Sequence, residues 1–172
     1  RAPLAGVELA PAALREEIDA INARVYETVN NGVYRAGFAT TQEAYDEAVT
    51  ALFDTLDHLE ERLGAQRMLV GDRLTEADLR LFTTMIRFDP VYYGHFKCNL
   101  RRLVDYPNLF DHTRALYQLP GVAQTVDLAA IKRHYYYSHD TVNPHRIVPL
   151  GPLVDYAAPH TRGPLEEWIV DG

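Results

Sequence analysis

At 172 residues, with 47% hydrophobic and 24% charged positions, the chain has the length and composition of one ordinary globular domain, able to bury roughly 70% of its unfolded surface. A net charge of −7 without a basic stripe argues against nucleic acid as a partner. No apolar run approaches the roughly 18 residues of a bilayer span, no signal-peptide pattern is visible, and a single cysteine makes no internal disulfide, so no membrane association and a cytoplasmic location are expected.

Residues 1–10, broken by Pro3 and Gly6, read as a linker. Helical patterning begins at Pro11, where Leu14, Ile18, Ile21, Val25 and Val29 recur at helical steps, and Asn30-Asn31-Gly32 supplies a stop. Thr40 with Glu43 predicts a capping box for a second helix, carried by Ala44, Ala48, Leu52, Phe53, Leu56, Leu59 and Leu63 and ending at Gly64. Its polar side, including Asp57, Glu60 and Arg62, reads as a solvated face.

The most fully specified start is Gly71–Leu79. Thr75 and Asp78 form a tight capping box, and Leu74 with Leu79 supplies the hydrophobic staple. The helix that follows is apolar on too many sides for a surface element, which predicts a central one with Leu79, Phe82 and Ile86 buried, running to about His95 with Pro90 kinking it. Pro107 opens a further helix, ended by Pro120-Gly121, and short helices are expected over 122–126 and 128–136. From 139 to 172 prolines and glycines forbid long helices, yet Leu150, Leu153, Val154 and Trp168 stay apolar, as in a tail wrapped over the domain. No run alternates as a strand would; the fold class is all-α.

Candidate chemistry is sparse. Cys98 stands among Lys97, Arg101 and Arg102, cations that could favour a thiolate, although a lone cysteine at the end of a buried helix is commonly a packing residue. His134 and His139 are five apart and share no helix face, and no metal-ligand spacing, phosphate loop or nucleophile elbow occurs, so no metal is expected. Eleven tyrosines against one tryptophan and six phenylalanines point to aromatic surface that must also carry hydroxyls. Tyr34, after the first helix, and Tyr135-Tyr136, at the end of the last, either face a cleft and bond a ligand's hydroxyl or oxyanion, or close the core with a bond to a carbonyl.

Three runs carry a resemblance: Asn30–Tyr45, Arg87–Tyr92 leading into His95–Asn99, and Ile131–Tyr136 with Ser138, His139, Asn143 and Pro144. Together with the Thr75 box they make the chain similar to the C-terminal helical domain of the glutathionyl-hydroquinone reductases, the xi class of glutathione transferases, over roughly residues 15–152. The resemblance implies a glutathione-transferase-type helical bundle over 11–138, a wrapped tail over 139–172, and a linker over 1–10 leading from a thioredoxin-like domain that this sequence does not contain. It implies a cytosolic homodimer that reduces glutathionyl-hydroquinones to hydroquinones through a cysteine in that absent domain, with glutathione as co-substrate. Tyr34 and Tyr135 or Tyr136 would hold the aromatic substrate's oxygens, Cys98 would not be the nucleophile, and this chain alone would be inactive. The competing expectation is a non-catalytic helical module for protein association.

Overall fold

The computed structural model describes residues 6–169; the first five positions of the expected linker and the last three of the expected tail lie outside the described residues. A short 3-10 turn, Ala12–Leu14, leads into α1 (Arg15–Val25), which continues through a π-helical turn, Tyr26–Asn30, into α2 (Gly32–Gly37). The expected stop at Asn30-Asn31-Gly32 is therefore absent. Asn31 and Gly32 keep the helical path, and the turn merely widens there before the chain breaks at Phe38.

The long helix α3 (Gln42–Ala65) is capped by Thr41, whose hydroxyl accepts the Ala44 N–H at 3.2 Å. The cap is thus one residue later than the Thr40–Glu43 reading. Its polar side is not only solvated. Glu60 accepts the backbone N–H groups of Asn108 and Leu109 at 2.9 and 2.8 Å, and so caps α6 (Pro107–Tyr117), whose own N-cap residue, Tyr106, gives the helix no side-chain cap. Asp57 takes the Tyr106 hydroxyl at 2.7 Å and pairs with Arg101.

The Thr75–Asp78 capping box opens α4 (Glu76–Arg87). Asp78 also accepts the Leu69 N–H at 2.9 Å and meets His112 Nε2 of α6 at 2.9 Å, so one buried carboxylate ties a loop and two helices. Ala77, Leu81 and Met85 of α4 enter one core with residues of α1, α3 and the π turn, while Phe82 and Ile86 enter a second core with Leu116 and Leu119. A helix buried on two faces has little room for a polar stripe, which explains its composition. Leu79 departs from expectation: as the staple residue it lies at the edge of the second core, only half-buried.

Pro90 does not end this path. Phe88–Tyr92 forms a second π-helical turn, followed by α5 (Tyr93–His95). A π turn absorbs proline because the ladder there is already re-spaced. The last long element is α7 (Leu128–Ser138), capped by Asp127 through the Ala130 N–H at 2.9 Å.

The chain beyond α7 returns over the bundle. Tyr156 and Trp168 complete the second core. Between them Arg162 donates to the carbonyls of Leu63, Gln66 and Arg67 at 2.7, 3.1 and 3.3 Å, closing the end of α3, and to that of Asn108 at 3.0 Å. Among the described residues no strand occurs, and no helix is long and apolar enough to cross a membrane.

Candidate functional site

The widened turn before α2 and the one ending at Tyr92 bring two phenols together with a third from α7. Tyr34 Oη lies 2.5 Å from Tyr135 Oη, and Tyr135 Oη lies 2.8 Å from Tyr92 Oη. Phe96 fixes the arrangement. Its ring stacks on Tyr92 at 5.6 Å and meets Tyr34 at 5.4 Å and Tyr135 at 6.1 Å. It comes so close to α2 that a Cβ on Gly37 would sit 2.1 Å from it, so only glycine lets α2 approach. Lys97 takes a positive φ of 59°, and its carbonyl accepts the Tyr45 hydroxyl at 2.6 Å; this turn lets Phe96 and Cys98 both face inward.

The three tyrosines line a cleft of about 490 Å³ together with Tyr26, Asn30 and, from α4, Arg80, Thr83 and Arg87. Asn30 Nδ2 bonds Thr84 at 2.6 Å and the Arg80 carbonyl at 3.2 Å, locking the first π turn to α4. Tyr34 is 38% exposed, Tyr135 7% and Tyr92 2%. Burial pushes the Tyr135 phenol up to about 12, helped by Tyr34 and opposed by the hydrogen bond with Tyr92 and by Arg87. Burial and its phenolic neighbours raise Tyr92 further still. Tyr135 and Tyr92 therefore carry their protons at neutral pH and act as donors rather than bases.

Tyr135 and Tyr136 separate, as neighbours about 100° apart on a helix must. Tyr136 turns away from the cleft, its ring 4.5 Å from that of His95 and its hydroxyl against Gly94. Burial raises its phenol, partly offset by the His95 backbone N–H. Of the two, only Tyr135 meets Tyr34. Arg87 and Tyr92 bound one of the runs that carry the resemblance but had no site role there, and Arg80 had none either; a tyrosine set in an otherwise apolar run was the available signal for Tyr92.

Cys98 is fully buried, and burial pushes its thiol up to about 12 despite Lys97. Its Sγ faces only the carbonyls of Phe96 and Val33, at 3.8 and 4.0 Å. A thiol in that state is a packing residue. His139 Nδ1 lies 3.1 Å from His95 Nε2, and His134 packs edge-on against Tyr135. Burial drives His95 down to about 4 and lowers His139 as well. Among the described residues no three His, Cys, Asp or Glu side chains converge on a metal-sized site.

Residues 42–115 match the glutathione S-transferase C-terminal domain family. The glutathionyl-hydroquinone reductase PcpF of Sphingobium chlorophenolicum is 65% identical over 142 residues, 83% of this chain and 45% of that protein. The glutathionyl-hydroquinone reductase YqjG of Escherichia coli is 55% identical over 152 residues, 88% of this chain and 46% of its own length. The glutathione-bound structure of YqjG superposes with a TM-score of 0.89 at 54% identity, covering 90% of this chain and 50% of that one. A xi-class glutathione transferase from Natrialba magadii gives 0.89 at 53%, covering 91% and 48%. The chain thus spans about half the length of the curated relatives it matches. By sequence and by fold it belongs to the C-terminal helical domains of the xi-class glutathione transferases, the family of the glutathionyl-hydroquinone reductases.

Proposed function

We propose that this chain forms the aromatic-substrate half of a glutathione-dependent enzyme that reduces glutathionyl-hydroquinones to hydroquinones. The observation that carries the reading is the Tyr34–Tyr135 pair, 2.5 Å apart at the mouth of a cleft wide enough for a substituted ring, in a chain 65% and 55% identical to two such reductases. In this reading a thiolate from a thioredoxin-like domain outside the chain, joined through residues 1–10, attacks the substrate's sulfur and forms a mixed disulfide with glutathione. The carbon–sulfur electron pair leaves with the ring, whose carbon takes a proton, and a second glutathione frees the enzyme as oxidised glutathione. Tyr34 and Tyr135 hold the phenolic oxygen and stabilise the charge that builds on it. Glutathione binds mainly to the other domain, and the enzyme works in the cytoplasm.

Cys98 supplies no thiolate at neutral pH, so residues 11–169 alone are expected to show no turnover. The test is steady-state kinetics of the full-length protein on a glutathionyl-hydroquinone. Tyr34→Phe and Tyr135→Phe should each lower kcat by about 10- to 1,000-fold, with the fold kept, because losing either hydroxyl weakens donation to the developing oxyanion. Tyr136→Phe and Cys98→Ser should leave kcat within about twofold, since neither group faces the cleft. Wild-type turnover in both Tyr34→Phe and Tyr135→Phe would overturn the assignment.

A second reading, a helical module for association, draws on one feature. Leu150 and Leu153 of the tail are 94% and 97% exposed, beside Ile147 at 69%. Apolar side chains this open invite a partner, and a homodimer through them is compatible with the enzyme reading. Sedimentation of wild type and of Leu150→Ser/Leu153→Ser separates the two. A dimer lost in the variant with turnover retained favours the enzyme reading; a dimer without turnover in the full-length protein favours the module.

A further inference from the structure

Three hydroxyls in a row hold three hydrogens, and the two bonds among Tyr34, Tyr135 and Tyr92 use only two of them. Where the remaining hydrogen lies is set by burial. Tyr92 is 2% exposed, and among the described residues its hydroxyl meets no acceptor outside the trio. Leaving its hydrogen unbonded would strand a buried donor, which folded chains avoid. Tyr92 therefore donates its hydrogen to Tyr135. The spare hydrogen falls to Tyr34 or Tyr135, the members nearer the cleft mouth. Each bond in such a line strengthens the next, so the outward donor is stronger than a lone phenol.

We infer that Tyr92 is a positioning residue that fixes the trio as a one-way donor, and that the cleft consequently selects ionised phenolic oxygens over neutral phenols and aryl ethers. This rests on the cleft's being the phenol site proposed above. The surroundings agree in sign. Arg80 and Arg87 of α4 bring fixed positive charge to the lining of the same cleft. The other titratable groups facing the trio are Tyr26 of the first π turn and, from α7 and the loop after it, His134 and His139, with His95 behind. None of the described groups around the trio is a carboxylate, so nothing there repels a phenolate.

The test uses 4-nitrophenol with the full-length protein, because its visible absorption distinguishes phenol from phenolate, and 4-nitroanisole as the ether control. The bound probe should ionise about tenfold more readily than the free one, one unit in pKa, while the ether binds weakly at every pH. Tyr92→Phe should return most of that factor although the ring stays in place, and adding Tyr34→Phe to it should cause little further change, a non-additivity that independent packing roles would not produce. A Tyr92→Phe protein whose bound probe ionises as in wild type overturns the inference and leaves the phenol site standing. Absence of saturable 4-nitrophenol binding to wild type overturns both. Should Tyr92→Phe fail to fold, wild type still decides: affinity rising as the probe ionises supports the inference, and affinity flat across that range overturns it.

Discussion

Two polar clusters in this molecule use their hydrogen-bonding capacity differently and end in opposite states. Asp111 of α6 gathers the Thr161 N–H at 3.0 Å, the Thr161 hydroxyl at 2.7 Å, Arg114 at 2.9 Å and Arg162 at 3.3 Å. Its carboxylate has only acceptor sites, donors fill them, and all of them come from the chain itself. The phenols of Tyr34, Tyr135 and Tyr92 are each both donor and acceptor, and their mutual bonds leave a hydrogen unspent beside an open cleft. A carboxylate saturated from within the chain has no acceptor site left for a ligand and holds the fold. An unsaturated cluster can recognise something, and this difference in satisfaction separates stability from function more cleanly than burial does.

The strongest way to break the comparison is to remove Asp111. Asp111→Ala leaves Arg162 buried among carbonyls without its counter-charge, and unfolding in denaturant should show a loss of about 3–5 kcal/mol. Turnover per folded molecule should not change, in contrast to the Tyr34→Phe and Tyr135→Phe enzymes. A fall in kcat without a fall in stability would mean that the two clusters are not separate.

Gly37→Ala probes the boundary between them. The added methyl meets the Phe96 ring that orients the phenols, so it should cost about 1–3 kcal/mol in thermal unfolding and lower kcat as well. Thr75→Ala removes half of the capping box far from the cleft and should cost about 1 kcal/mol, with kinetics unaltered. The smallest effect expected is on pH dependence. Burial alone would raise Asp111, but the Thr161 hydroxyl and N–H with Arg162 and Arg114 hold it below the ordinary carboxylate value. Its contribution is therefore complete above the unfolded-state value near 4 and lost as pH falls through the lower folded-state value. Denaturant midpoints measured downwards from pH 5 should drop less steeply in Asp111→Ala than in wild type.

The sequence was most informative where a local rule determines structure. The Thr75 box needs only residues three apart, and the periodicity of Ile18, Ile21, Val25 and Val29 needs only one helix face. It misled where a local rule had two outcomes. Asn30-Asn31-Gly32 is chemically a good stop, but Asn30 binds Thr84 and Arg80 of a helix some fifty residues away, and the path continues. Glu60 and Asp57 look like surface charges because their partners, Asn108, Leu109, Arg101 and Tyr106, are brought to them only by the fold. Tyr34 and Tyr135 were visible through resemblance rather than spacing. Tyr92 closes one of the resembling runs, but its place beside Tyr34 and Tyr135 depends on three elements coming together, and that Tyr135 rather than Tyr136 meets Tyr34 follows from the rotation of α7.

The two π-helical turns give the site a dependence on chain length as well as residue type. Each holds one residue more than an α-turn, and an extra residue rotates everything beyond it by about 100° relative to the helix before it. Tyr34 comes after the turn at Tyr26–Asn30, and Tyr92 completes the one at Phe88–Tyr92. Deleting one residue from either segment would rewind it towards an α-helix, at no local cost in the first and against Pro90 in the second, and would swing a phenol out of reach of Tyr135. In a comparison of relatives, a one-residue gap in either segment would then say more about the phenol array than most substitutions: it marks a chain that has kept the bundle and lost the alignment of its hydroxyls.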